Sequence, residues 1–117
     1  LIVPHDKKKF NEKLSYITSP GHLDGSPGAR EKAGMQGQGP YRLITTKGIF
    51  DFEEKTKRMR LIQTFPGETV ESIQAATGFE LLVAPNVSEF PAPTVEEVRL
   101  IREVVDPGGA FVKRVAK

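Results

Sequence analysis

"YRLITTKGIFDFEEKTKRMRLIQTFPGETVESIQAATGFELLVAP", residues 41 to 85, changes its apolar rhythm partway along, and that change sets the fold class. In its first part Tyr41, Leu43 and Thr45 alternate with Arg42, Ile44 and Thr46. Met59, Leu61, Gln63 and Phe65 then alternate with Arg58, Arg60, Ile62 and Thr64. A period of two puts alternate side chains on opposite faces of a strand. The charged "EEKTK" between the runs reads as a turn, so the pair predicts an antiparallel hairpin or meander. Gly48 before Ile49 and Phe50 marks an expected bulge.

From "PGETVESIQAATGF" onward the period becomes helical. Thr69 stands as N-cap, and Val70, Ile73 and Ala76 or Thr77 form the inward stripe. Gly78 falls where a left-handed C′ residue belongs, followed by Phe79 at C″. On that reading a β-branched residue at 78 costs about 1–2 kcal/mol, because it must take positive φ. "FELLVAP", 79–85, is nearly continuous in apolar residues, which predicts a strand buried on both faces.

Working outward, "NVSEFPAPT" reads as a proline-bearing connector and "TVEEVRLIREVVDPGG", 94–109, as a second helix. Thr94 and Glu97 fit a capping box; Val98, Ile101 and Val105 line one face, widened by Leu100 and Val104. Asp106 to Gly109 end it, and "AFVKRVAK", 110–117, is a tail without a pattern. Upstream, "LIVP" reads as a short strand stopped by Pro4, "HDKKKFNEKLS" as a helix capped by Asp6 with Phe10 and Leu14 on one face, and "YITS" as another strand. Residues 19–40 carry six glycines and three prolines and form a long loop, with a mobile tip expected at Gly34–Gly39. The order strand, helix, strand, loop, hairpin, helix, strand, helix describes an α/β sheet with an antiparallel hairpin attached, in one domain over 1–117.

Composition narrows the function classes. Hydrophobic residues make up 38% and charged residues 27% of the 117, a globular balance. Cysteine is absent, which excludes disulfides and thiolate metal sites. No run approaches the roughly 20 apolar residues of a membrane span, and no signal pattern is seen, so a cytoplasmic setting is expected. Residues 1–60 carry 12 Lys/Arg against 7 Asp/Glu, and the remainder 5 against 8. That asymmetry is mild, and aromatic residues are not interleaved with the cations as a nucleic-acid platform needs. An apolar run at the first residue, with no Met, predicts a domain cut from a longer protein.

Individual motifs carry little chemistry. Gly34, Gly37 and Gly39 in "GMQGQG" could expose backbone N–H groups to phosphate, but the spacing matches neither nucleotide-binding glycine pattern. His5 and His22 lack carboxylates in metal-ligand spacing, so no metal site is expected. Ser19 is not in a nucleophile elbow, and Asp24 before Gly25 reads as a turn. The expected catalytic set is therefore empty. Ser19 closes a predicted strand and Gly21 and His22 follow its end, where α/β sheets build binding crevices; these three are the substrate-proximal candidates.

The sequence as a whole resembles one family. "PHDKKKFNEKLSYITSPGHLDG", "GAREKAG", "GPYRLITTKGIFDF", "KTKRMRLIQTFPGETVESIQAATGFELLV" and "PTVEEVRLIREVVDP" look like the C-terminal part of the B subunit of class I CoA-transferases, glutaconate CoA-transferase type. 3-Oxoacid and 3-oxoadipate CoA-transferases and a steroid-ring-opening CoA hydrolase branch are similar. The resemblance implies part of an open, doubly wound CoA-transferase-like sheet, paired with an A subunit in a heterotetramer. It implies no bound cofactor, with coenzyme A as substrate, and transfer of CoA between carboxylic acids through a glutamyl-CoA thioester. The family's nucleophilic Glu and its glycine-rich oxyanion segment lie before the matched region, so Glu12, Glu31, Glu53, Glu54, Glu68, Glu71 and Glu80 inherit no catalytic role. The fragment is expected to be inactive alone and to self-associate at an exposed sheet edge. A stand-alone CoA-nucleotide-binding or protein-interaction module, or part of the hydrolase, are the alternatives. Nucleic acid and membrane are not expected partners.

Overall fold

The computed structural model describes residues 2–112. Residue 1 and residues 113–117, most of the expected tail, lie outside the described residues. The strands are β1 (Ile2–Val3), β2 (Leu43–Thr45), β3 (Gly48–Phe52), β4 (Met59–Thr64) and β5 (Leu82–Glu89). They form one open sheet in the order β1-β2-β3-β4-β5. The three middle strands are the antiparallel meander that the alternation predicts. Each flanking strand joins in parallel, Ile2 beside Ile44 and Arg60 beside Leu82. The bulge expected near Gly48 appears as a register break between Ile49 and Phe50. Gly48 is there for space: a Cβ would stand 2.5 Å from the Gln63 carbonyl oxygen.

The helices are α1 (Ala29–Lys32), α2 (Val70–Ala75) and α3 (Val95–Leu100), the last running into a π-helical turn over Ile101–Val105. Thr69 caps α2 and Thr94 caps α3, each through a reciprocal capping box with Ser72 or Glu97. One face of the meander and α2 enclose the core of Phe10, Leu43, Phe50, Leu61, Ile73 and Leu81. In-register Asp51 and Arg60 add a two-pronged ion pair at 2.9 and 2.6 Å.

The first 40 residues depart most from expectation. "HDKKKFNEKLS" forms hydrogen-bonded turns, with Lys9 and Phe10 N–H groups donating to the Asp6 carbonyl, and no helix. Phe10 is buried while Leu14 is exposed, so the four-residue spacing did not mark a shared face. Tyr16 and Ile17, in the expected strand "YITS", are 80% and 70% exposed and pair with nothing in the sheet. Local β-propensity alone does not make a strand where no neighbour offers its edge.

Three expectations in the second half also change. Gly78 does not take positive φ. Its N–H donates to the Phe10 carbonyl at 2.6 Å, and a Cβ would lie 2.6 Å from that same oxygen. The glycine admits the incoming chain and does not form a left-handed cap. β5 extends through Asn86–Glu89, which had read as connector, and as the edge strand it is half-exposed along its length. Leu81, just before it, is the part of "FELLVAP" that is buried. α3 and its π turn bury no residue, although their apolar stripe is present in sequence. Asp106 ends this unit, its carboxylate accepting the N–H groups of Ala110, Phe111 and Val112.

His5 pins these layers together. It is 6% exposed and stacks on Phe10 at 4.1 Å. Its Nε2 meets the Thr77 hydroxyl at 3.0 Å and its Nδ1 the Thr45 hydroxyl at 3.1 Å. Thr77 donates its own proton to the Ile73 carbonyl, which makes Nε2 the donor to Thr77, while the single Thr45 hydroxyl proton is shared between Nδ1 and the Gly48 carbonyl at 3.2 Å. Burial, then the Lys47 charge, holds the His5 pKa below its ordinary 6.5, against the opposing pull of Asp6 and Glu68.

Two outcomes follow from this packing. Gly78→Ala should destabilise by about 1–3 kcal/mol, read from the urea midpoint, through overpacking against Phe10. Unfolded His5 takes up a proton near pH 6.5, but folded His5 does so only at lower pH. The unfolded state therefore binds more protons, and stability should fall as pH drops below about 6.5. Urea unfolding at pH 5 and 7.5 checks this; in His5→Gln the drop should shrink.

Candidate functional site

The glycine-rich segment 19–40 folds back on itself as an ordered loop. The Asp24 carboxylate accepts the N–H of Ser26 at 2.9 Å and its hydroxyl at 2.8 Å, closing one turn. α1 then presents Arg30 to the inside. Its guanidinium donates to the carbonyls of Gly21, Gln36 at 3.2 Å and Gly37 at 3.3 Å. One planar fork thus ties the start of the loop to its tip. The expected mobile tip at Gly34–Gly39 is held at two of its carbonyls by this side chain.

His22 closes the base of the loop. Its Nε2 lies 3.0 Å from the Pro40 carbonyl and its ring meets Phe52 edge-on at 4.7 Å. Gly39 has φ +84, and a Cβ there would stand 2.9 Å from His22 Nδ1, so that position requires glycine twice over. On the other side Gly25, buried at φ +77, leaves no room for a Cβ against the Thr56 carbonyl.

Thr56 belongs to the β3–β4 turn, which is built around Glu53. The Glu53 carboxylate accepts the N–H groups of Lys55 at 3.1 Å and Thr56 at 2.7 Å and the Thr56 hydroxyl at 2.7 Å. These donors, the Lys55 N–H first, pull its pKa down to about 2. The turn ends on Lys57 at φ 55, a left-handed conformation that a lysine seldom takes.

Between loop and turn lies a cavity of about 230 Å³, walled by His22, Ser26, Arg30, Glu31, Gln38 and Lys57 among others. A second, of about 160 Å³, shares His22, Gln38 and Lys57 and adds Tyr41, Arg42 and Phe52. Of the residues expected near substrate, His22 is a wall of both cavities, Gly21 fixes Arg30, and Ser19 is exposed and lines neither. Arg30 and Lys57 were not singled out in the sequence. The available signal was an arginine inside a glycine-rich loop with no acidic partner at helical spacing. Among the described residues no group of three His, Cys, Asp or Glu could hold a metal ion, and no helix is long and apolar enough to cross a membrane.

Known proteins give this arrangement its context. No protein-family model matches the chain. The B subunit of glutaconate CoA-transferase from Acidaminococcus fermentans is 45% identical over 114 residues, 97% of this chain and 42% of that protein. The crystal structure of that enzyme superposes with a TM-score of 0.88, covering 97% of this chain and 44% of the matched one. The B subunit of 3-oxoadipate CoA-transferase from Pseudomonas knackmussii is 32% identical over 87% of this chain and 39% of its own length. The crystal structure of IpdAB from Rhodococcus jostii RHA1 gives a TM-score of 0.74 at 26% identity, covering 99% of this chain and 46% of that one. The open mixed sheet is therefore the CoA-transferase fold. By sequence and fold the chain matches part of the B subunit of CoA-transferases of the glutaconate CoA-transferase type. It spans less than half the length of these relatives.

If Arg30 organises the loop, Arg30→Lys should raise amide hydrogen exchange at Leu23 and Met35, whose N–H groups donate to the Pro20 and Arg30 carbonyls within the loop, at least tenfold while leaving the unfolding free energy within about 0.5 kcal/mol. Unchanged exchange in the variant would show the loop to be held by other contacts.

Proposed function

We propose that the chain is the C-terminal part of a CoA-transferase B subunit and works within a complete A/B enzyme that moves CoA from an acyl-CoA to a carboxylic acid. The observation that carries this reading is 45% identity across nearly the whole chain together with a TM-score of 0.88 to glutaconate CoA-transferase. In this reaction a glutamate carboxylate takes CoA as a thioester and passes it to the acceptor acid, splitting one acyl transfer into two. Such chemistry needs an ionised nucleophile and donors for the tetrahedral oxyanion. Three of the described glutamates are engaged otherwise: Glu53 builds a turn, Glu68 pairs with Lys47 at 2.8 Å and Ser72 at 2.6 Å, and Glu97 caps α3. The role assigned to this segment is to support one side of the cleft and to contact the substrate away from the reacting carbonyl.

Partner, compartment and assembly belong to the same proposal. An A subunit is the expected partner, in keeping with the paired subunits of IpdAB, and the setting is cytoplasmic. Apart from that partner, the chain is expected to self-associate through its edge strand β5 and the exposed Val95, Val104 and Val105 of the last helical unit. The hydrolase alternative draws on the likeness to IpdAB, at 26% identity.

The full-length B subunit carrying this segment, co-purified with its A subunit, should consume acyl-CoA only when an acceptor carboxylate is supplied and should show ping-pong kinetics. The 117-residue chain alone should show no turnover. Steady acyl-CoA consumption without acceptor would favour hydrolysis, and robust turnover by the chain alone would overturn the assignment.

A further inference from the structure

The loop–turn cavity is electrostatically unbalanced. The Arg30 guanidinium spends three of its five N–H donors on backbone carbonyls, all neutral, so its charge is not cancelled by a carboxylate and two donors remain. Lys57 is half-buried, and its ammonium has no hydrogen-bond or ion-pair partner among the described residues. The nearby Glu53 carboxylate is turned to backbone N–H groups of its own turn. Glu31 is the one acidic residue among those lining the larger cavity. Gln38 and His22 line both cavities and add polar groups to the same walls. Desolvating a cation without a counter-charge is costly, and an anion within the cavity offsets that cost.

The backbone adds a second reason. Lys57 sits at φ 55, Gly25 packs on the neighbouring Thr56 carbonyl, and Gly39 packs on His22. The loop and the turn are thus locked against each other, so the cations face the cavity in a fixed arrangement. A volume of about 230 Å³ admits a phosphate ester with its sugar and is too small for an entire nucleotide thioester. The adjoining cavity offers aromatic surface from Tyr41 and Phe52, with the Arg42 guanidinium 4.3 Å above the Tyr41 ring. Such a wall suits a flat heterocycle.

The geometry points to a phosphate-binding site formed by Lys57, Arg30, Gln38 and His22, which holds the phosphorylated nucleotide end of the CoA thioester while the acyl end reacts elsewhere. This rests on the CoA-transferase reading for the source of the phosphate; the anion chemistry itself comes from the cavity. Lys57 is then a binding residue that does not touch the reacting carbonyl.

The test is calorimetric titration of the full chain with adenosine 3′,5′-bisphosphate, inorganic phosphate and pantetheine, which shares the thiol arm but has no phosphate. Lys57→Gly removes the ammonium and suits the left-handed backbone, so it keeps the turn; Lys57→Arg keeps the charge. The bisphosphate should bind, roughly tenfold more weakly in Lys57→Gly, with affinity retained in Lys57→Arg. Pantetheine should be insensitive to both changes. Equal bisphosphate affinity in wild type and Lys57→Gly, or no binding by wild type, overturns the site. Inorganic phosphate binding as tightly as the bisphosphate overturns its nucleotide character. None of these readouts needs turnover, so an inactive A/B preparation would count against the enzyme reading without touching this one.

Discussion

The His5 ring, clamped between the hydroxyls of Thr45 and Thr77, is the contact on which the rest of the chain depends. Thr45 ends β2 and Thr77 follows α2, so one imidazole joins the sheet to the helix that covers it. Stacking on Phe10 draws in the next turn of chain, and Phe10 in turn delivers its carbonyl to Gly78. A buried polar group satisfied at both ends specifies a geometry more narrowly than an apolar side chain of equal size, because a shifted neighbour leaves an unmatched donor or acceptor. Among the described residues no buried side-chain polar atom lacks a partner.

What could be read beforehand divides along a physical line. The meander, α2, α3 and both threonine caps are local: period, turn chemistry and capping residues lie within a dozen positions of one another, as at Thr69 and Ser72 or Thr94 and Glu97. The segment from His5 to Asn11 takes its conformation from partners far along the chain, Thr45, Thr77 and Gly78, so its own spacing misleads. Gly78 shows the difference at one residue. Its position after a helix fits a left-handed cap, whereas the actual demand is the approach of Phe10 from nearly seventy residues away.

The site was legible only in outline. A long glycine-rich excursion from the sheet and a histidine near its start could be marked out, and His22 does line both cavities. Arg30 and Lys57 could not, because each matters through what surrounds it. Arg30 matters because three carbonyls converge on it, and Lys57 because a strained turn holds it beside a loop from an earlier part of the chain. Composition indicates that a loop exists; the closure of that loop around one guanidinium is a three-dimensional fact.

The strand order bears on how the chain comes to be folded. β2, β3 and β4 are joined by turns of two and six residues, so their pairing closes little loop entropy and forms early. β1 must wait for β2 across about forty residues, and β5 joins β4 only after α2 is in place. Both parallel edges thus depend on a meander that is already assembled, an order suited to a polypeptide in which β1 leaves the ribosome well before its partner strand exists.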